Sequence, residues 1–378
     1  MDLVAAREIF ETSQDLTVGI EEEWAIVDPL TLELTSRFED LRDAGAQDPV
    51  LATAISGELI SSEIEIRSGR GENIAHAREL QQDARNRLFA VADKHGVALA
   101  STGTHALSDY RDQKIIDTEH YHRVEDGLKY VAWRNNTFAL QVHIGVRGAD
   151  RAVKACDRLR PILPLLLAIS ANSPFIDGRD SGLHSGRTQT FTKSFPRCGI
   201  PDVYGSWQKW EDYVALLLRT NSIVEFTQLW WSVRPHHSYG TIEVRICDAQ
   251  TTGPEADALA ELIVACVAQT LREIDADEPY PHLPGHLIEE NMWRAIRHGQ
   301  DGRLLDLLAA GAGGLDAIEE FPAAEAFDRL RAWSGADVVL PELNGAQRQR
   351  RMIDAGASPF EVYAKCVEET RSTYETAV

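Results

Sequence analysis

Cysteine is scarce and scattered: Cys156, Cys198, Cys247, Cys266 and Cys366 are an odd number, with no CxxC pair. That pattern excludes a disulfide framework and a zinc knuckle and fits a reducing compartment. Positive charge is also short, with 38 Lys+Arg against 59 Asp+Glu and a net charge of −21. Binding to nucleic acid or to anionic lipid depends on Lys and Arg replacing counterions, so neither partner is expected. Long apolar runs are missing too. The best two, residues 162–170 and 259–271, fall short of the roughly 18–20 residues that span a bilayer. The first residues lack a basic segment followed by an apolar one, so no signal peptide is expected and the chain reads as cytoplasmic. The usual nucleotide and hydrolase signatures are absent as well: no GxxxxGK[ST], GxGxxG, HRD/DFG pair, GxSxG or HExxH occurs.

What is present is an ordinary globular composition, 44% hydrophobic and 26% charged over 378 residues. No repeat or composition shift divides the chain, so residues 1–378 read as one domain. Residues 15–250 would form a sheet platform carrying the site, and 254–378 a mainly helical part. Helical spacing is clear at Ile74, Ala77, Leu80, Ala84, Leu88 and Val91. Residues 301–314 read as a short helix and a connection.

Three segments alternate with period two. In 17–27 the even positions are Val18, Ile20, Glu22, Trp24 and Ile26, and the odd ones include Gly19, Glu21 and Glu23. In 138–147 Phe138, Leu140, Val142, Ile144 and Val146 alternate with Gln141, His143 and Gly145. In 241–248 Ile242, Val244 and Ile246 alternate with Thr241, Glu243, Arg245 and Cys247. Each is a strand with one aliphatic face packed on helices and one polar face. Glu22 breaks the aliphatic row and implies a local twist or strand end. Cys247 falls on the polar face beside Arg245. A fourth segment holds Glu58, Glu63 and Glu65. The seven-residue spacing of Glu58 and Glu65 puts them on opposite faces unless a bulge or turn intervenes near Ser61 and Ser62.

If Glu21, Glu23, Glu58, Glu65 and Glu243 converge, each close pair repels by about 4 kcal/mol at an effective dielectric near 20. Divalent cations or raised pKa values must offset that. Oxygen ligands with one imidazole, His143, suit Mg²⁺ or Mn²⁺. Such ions commonly hold phosphate, which makes an acidic protein compatible with a nucleotide.

Beyond these patterns, an ordered set of motifs resembles the type 2 glutamate–cysteine ligases, or carboxylate–amine ligases. The set comprises Gly19-Ile-Glu-Glu-Glu-Trp24, Ser62-Glu-Ile-Glu-Ile-Arg67, Gly103-Thr-His105, Val142-His-Ile-Gly145, Ala171-Asn-Ser-Pro-Phe175, Pro196-Arg-Cys-Gly-Ile-Pro201, Trp230-Trp-Ser-Val-Arg-Pro-His236, Gly240-Thr-Ile-Glu-Val-Arg245 and Gly345-Ala-Gln-Arg-Gln-Arg350. The resemblance implies an α+β, glutamine-synthetase-like fold: a curved, mainly antiparallel sheet with an open acidic face, helices on the other face and a helical last third. It further implies ATP, Mg²⁺ and a γ-glutamyl amide made from glutamate and an amine such as cysteine, through an acyl phosphate. Glu21, Glu23, Glu58, Glu65, His143 and Glu243 would be metal ligands, with Glu243 and Arg245 catalytic. Arg245, Arg234 and Arg187 would bind substrate or ATP. The chain departs from the family at Gln141, where His is frequent, at His122, and at Glu63, where Gln is usual; these positions bear on acceptor specificity. A guanidino-type phosphotransferase and a non-catalytic ligand-binding relative are the competing classes, and a homo-oligomer is compatible with either. His236 and His237 read as loop structure. Of Trp207, Trp210, Trp230 and Trp231 most read as packing.

Overall fold

The computed structural model describes residues 3–308 and 315–375. Its main sheet contains β1 (Val18–Val27), β2 (Ile55–Ser56), β3 (Glu63–Arg67), β4 (Ala98–Ala100), β5 (Ala139–Gly145), β6 (Val233–His236) and β7 (Thr241–Asp248). The order is β6-β7-β5-β1-β3-β2, and every pairing is antiparallel. Beyond β5, β4 takes over the same edge of β1: Ala25 pairs with Glu63 on one side and Ala100 on the other.

One face of this sheet is dry. Val18, Ile20, Trp24, Ile26, Ile64, Ile66, Leu140, Val142, Ile144, Ile242 and Val244 are buried in one core cluster. Against them pack α1 (Ile74–Lys94), α2 (Ala149–Leu159), α3 (Leu163–Ser170) and α4 (Gly253–Asp275). Local chemistry sets the helix starts. Asn73 caps α1 by accepting from the His76 amide, and Thr252 caps α4 with Pro254 in its first turn. α5 (Pro359–Tyr374) starts on a Ser358–Glu361 capping box and packs beside β4. Among the described residues the last third is mainly helical, with loops and a two-stranded ribbon, Arg303–Leu305 with Glu320–Pro322. That ribbon replaces the short helix expected at 301–314; residues 309–314 lie outside the described residues. Among the described residues no helix is long and apolar enough to cross a membrane.

Two sequence expectations are corrected here. Glu22 marks neither a twist nor a strand end, because β1 runs through it. Its carboxylate points into the helix layer and accepts from Arg85 Nε at 2.9 Å, Arg85 Nη2 at 2.6 Å and Gln81 Nε2 at 2.8 Å. Arg85 also donates to Asp257 at 2.9 Å. The buried acid is thus matched by a buried base from a helix, which strand periodicity does not record. Cys247 is not on the polar face. The β5–β7 register shifts between Val244, opposite Val142, and Cys247, opposite Leu140. Arg245 and Ile246 therefore span the step that Gln141 spans alone, and the bulge turns Cys247 into the core. Burial pushes its thiol up to about 12, which leaves it unsuited to nucleophilic work.

Breaking a buried ion pair from one side strands the other charge, at a typical cost of about 3–5 kcal/mol. Arg85→Ala should lower stability by that order in urea denaturation. The volume-matched double change Glu22→Leu with Arg85→Met should lose clearly less, since Glu22 is removed with its partner and Asp257 keeps Arg78 at 3.3 Å.

Candidate active site

The other face of the sheet floors a cavity of about 380 Å³. Antiparallel register arranges its polar side chains in rows. Arg234 of β6 is opposite Glu243 of β7, which is opposite His143 of β5, which is opposite Gly19 of β1. In the next row Gln141, Glu21 and Arg67 face one another, and beyond them Glu23 is opposite Glu65. Glu58 joins from outside the strands. Residues 58–62 form an irregular turn ahead of β3, in which Ser61 donates its amide to Lys114 O at 2.8 Å and Ser62 Oγ meets Gln113 at 2.6 Å. That turn brings Glu58 to the same side as Glu65.

The outcome is two clusters. Glu21, His143 and Glu243 offer ligand atoms within 4.8 Å of one another, and so do Glu23, Glu58 and Glu65. Both sets are oxygen-rich, and the first adds one imidazole. His143 Nδ1 shares a 2.9 Å hydrogen bond with Thr241 Oγ1, which leaves Nε2 facing Glu21 Oε1 at 3.4 Å. Glu23 is held by the Ala139 amide at 2.5 Å and Gln141 Nε2 at 2.6 Å.

The electrostatics divide the acids into two groups. Burial, then repulsion from Glu23, pushes Glu58 up to about 8. Burial and neighbouring carboxylates also drive Glu63 and Glu65 well above the usual range, and burial raises Glu23. Glu243 goes the other way: burial opposes its charge, but Arg234 and Arg245 overcome that and hold it well below the usual range. Arg234 Nε donates to Glu243 Oε2 at 2.6 Å, and Arg245 bonds Glu243 Oε1. His143 is raised although burial disfavours its charge, because Glu21 and Glu243 lie close.

Three arginines reach the cavity in different ways. Arg245 lines it beside Glu243. Arg234 spends Nη1 on the carbonyls of Thr227 and Leu229, at 2.9 and 2.7 Å. Arg187, from the short helix Gly186–Thr190, donates to Ile246 O and Arg245 O, both at 3.1 Å.

Sequence patterns missed several lining residues, among them Arg67, Tyr121, Phe191, Glu225 and Tyr239. Apart from Arg67 they come from loops and short helices, which carry no periodic signal. His236 is corrected from loop to strand: it ends β6, lines the cavity and stacks on Tyr239 at 4.7 Å. Trp230 also lines the cavity, whereas Trp207, Trp210 and Trp231 are core. The 347–351 arginine cluster anchors its helix, with Arg348 on Glu255 at 2.7 Å and Arg350 on Asp180 at 2.9 Å. An adjoining cavity of about 550 Å³ shares Glu21, Arg67, His143, Ser238 and Tyr239 with the first and adds Ile9, Val18 and Ile20.

These shifts fix the sign of a pH effect. Between the ordinary value of 4.5 and about 8, folded Glu58 keeps a proton that the unfolded chain releases. Its contribution to stability therefore falls as pH rises through that window, and raised His143 acts in the same direction. Buried His105, His184, His236 and His237 are pushed down and act in the opposite direction below about pH 6.5, so in chelator the melting temperature should drop between about pH 6.5 and about pH 8. Added Mg²⁺ or Mn²⁺ should restore most at the alkaline end, where the acids have given up their protons. A melting temperature that climbs over this interval in chelator contradicts the assignment.

Comparison with known proteins accords with this geometry. The family model for glutamate–cysteine ligase family 2 matches residues 17–370. A Solibacter usitatus protein named "Putative glutamate–cysteine ligase 2" is 36% identical over 372 residues, covering 94% of this chain and 93% of its own. A Rubrobacter xylanophilus protein named "Putative glutamate–cysteine ligase 2-1" is 36% identical over 371 residues, covering 94% of this chain and 95% of its own. Among solved structures, the bifunctional glutathione synthetase of Pasteurella multocida matches with a TM-score of 0.66 at 12% identity. It covers 98% of this chain, which spans 54% of that protein's length. The glutamate–cysteine ligase of Francisella tularensis, solved with AMP, gives 0.61 at 12% identity over 97% of this chain and 91% of its own. At such identities the likeness is one of fold, and the fold is the α+β, glutamine-synthetase-like one. The chain belongs to glutamate–cysteine ligase family 2.

Proposed function

We propose that the protein is an ATP-dependent carboxylate–amine ligase that joins the side-chain carboxylate of glutamate to an amine such as cysteine. The observation that carries this reading is the pair of oxygen-rich triads on one open sheet face, with Arg245 beside them. ATP gives its γ-phosphoryl group to the carboxylate, forming an acyl phosphate and ADP. The amine then attacks the acyl carbon, the bond to phosphate oxygen breaks, and the amine loses a proton.

The residues fit divalent cations on chemistry alone: hard oxygen donors, one imidazole, and carboxylates that otherwise keep protons in a buried cavity. Glu21, His143 and Glu243 would hold one Mg²⁺ or Mn²⁺, and Glu23, Glu58 and Glu65 another. Such an ion, when bound, supplies positive charge to phosphoryl oxygens. The protein's own part is to place charge and exclude water. Arg245, fixed by Glu243, offers its fork to the transferring phosphoryl group. Arg234 holds Glu243 in place. The adjoining cavity, walled in part by Ile9 and Tyr239, suits the nucleoside half of ATP.

Two measurements test the reading. Phosphate should appear only when glutamate and an amine are both present with ATP, and EDTA should abolish it until Mg²⁺ or Mn²⁺ is restored. A stable phosphorylated product without an amine would instead mark a phosphotransferase, and undiminished activity after rigorous chelation would end the metal assignment.

Arg245→Lys keeps the charge but removes the planar fork. Its kcat should fall by on the order of 10², with a much smaller change in KM for ATP. If Arg245 only braces Glu243, the same variant shows a lower melting temperature and near-normal kcat.

A further inference from the structure

The bulge in β7 leaves backbone groups that the strand ladder does not serve, and one arginine takes them up. Arg245 and Ile246 span the step that Gln141 spans alone, so β5 has one residue to offer two. Arg187 Nη1 donates to Ile246 O and Arg187 Nη2 to Arg245 O, both at 3.1 Å. Two consecutive carbonyls of the bulge thus occupy the end-on fork of its guanidinium. Buried carbonyls without partners are costly, so these bonds help keep the extra residue in place. Arg187 itself is 3% exposed and lines the main cavity.

The end of β7 also fixes where Arg187 stands. Asp248, the last residue of that strand, accepts from Ser185 Oγ at 2.9 Å on one oxygen. Its other oxygen accepts from the Asn172 amide at 2.8 Å and Ser173 Oγ at 2.6 Å. Ser173 Oγ in turn accepts from the Arg187 amide at 3.0 Å. Gln349 donates to Asn172 Oδ1 at 2.8 Å and ties the same loop to the helix Gly345–Asp354. All of these contacts lie within the protein, so the placement of Arg187 is built before any ligand arrives.

Arg245 stands at the other end of this frame. Its amide donates to Ser232 O at 2.9 Å, its carbonyl accepts from Arg187, and its guanidinium bonds Glu243. We propose that Arg187 is a positioning residue, which braces the β7 bulge and thereby aims Arg245 at the transferring phosphoryl group. The inference rests on the ligase reading for what Arg245 does, and on the hydrogen bonds alone for what Arg187 does. This role differs from the substrate or ATP contact that the family resemblance implies for Arg187. Such a contact would draw on Nε, which makes no hydrogen bond.

A double-mutant cycle on kcat separates the two roles. Arg187→Met keeps the length of the side chain and removes its donors. With Mg²⁺-ATP, glutamate and an amine, its kcat should fall by about tenfold or more, because small misplacements of a reacting group are costly. KM for glutamate and for ATP should change by less than about threefold. In an Arg245→Lys background the same substitution should cost less than about threefold further in kcat. An unchanged kcat, losses that multiply across the cycle, or a KM raised by about tenfold overturns the proposal.

The brace is also read without turnover. Once it is removed, the ladder drops its extra residue and Cys247 turns toward the cavity. A pulse of N-ethylmaleimide on folded Arg187→Met protein, mapped by peptide mass spectrometry, should label Cys247 about tenfold faster than in the unaltered protein. Cys266, buried in the same core cluster, should stay protected and so report an intact core. Unchanged labelling of Cys247 beside a protected Cys266 overturns the proposal. If Arg187→Met labels every cysteine because it does not fold, Arg187→Gln, which retains one donor group, carries both measurements by the same criteria. If the unaltered protein forms no amide with any amine, the ligase reading falls, and the labelling alone decides the brace.

Discussion

Carboxylate repulsion across one face of the sheet is the constraint that everything else accommodates. Glu21, Glu23, Glu58, Glu63 and Glu65 share one small cavity, and burial removes the water that would screen them. Arg234 and Arg245 both bond Glu243, and the help Arg245 gives Glu23 and Glu58 is outweighed by their burial. Glu23, Glu58, Glu63 and Glu65 are left with raised pKa values, a state that would exchange protons for a cation if one bound. Such a face is a liability for folding, and the opposite face offsets it. There an aliphatic layer, interrupted at Glu22 by its pair with Arg85, packs on α1, α2, α3 and α4.

Much of this was legible from residue order. Period-two alternation separated the aliphatic from the acidic face in β1, β5 and β7, because side chains on a strand alternate without regard to their neighbours. What alternation lacks is register and bulges. Nothing within residues 241–248 signals the extra residue at Arg245 and Ile246, so alternation alone places Cys247 on the wrong face. Glu22 looked anomalous because its partner Arg85 sits on a helix far along the chain. Spacing did show that Glu58 needed a turn to meet Glu65; the hydrogen bonds that make the turn come from Gln113 and Lys114. The cavity's loop-borne walls, Tyr121, Phe191 and Glu225, had no pattern to reveal them.

β1 has to satisfy both faces at once, and its register carries the site. A slip of one residue would exchange Ile20 and Trp24 for Glu21 and Glu23, burying acids among helices and exposing the core. The buried Arg85 adds to this specificity, since only the observed register delivers Glu22 to it at 2.6 Å. The polar exception in the aliphatic row therefore helps fix which acids face the cavity. Because β3 and β5 are both hydrogen-bonded to β1, that single choice of register also sets which of their residues stand opposite Glu21 and Glu23. The positions of both carboxylate clusters thus depend on an ion pair on the far side of the sheet.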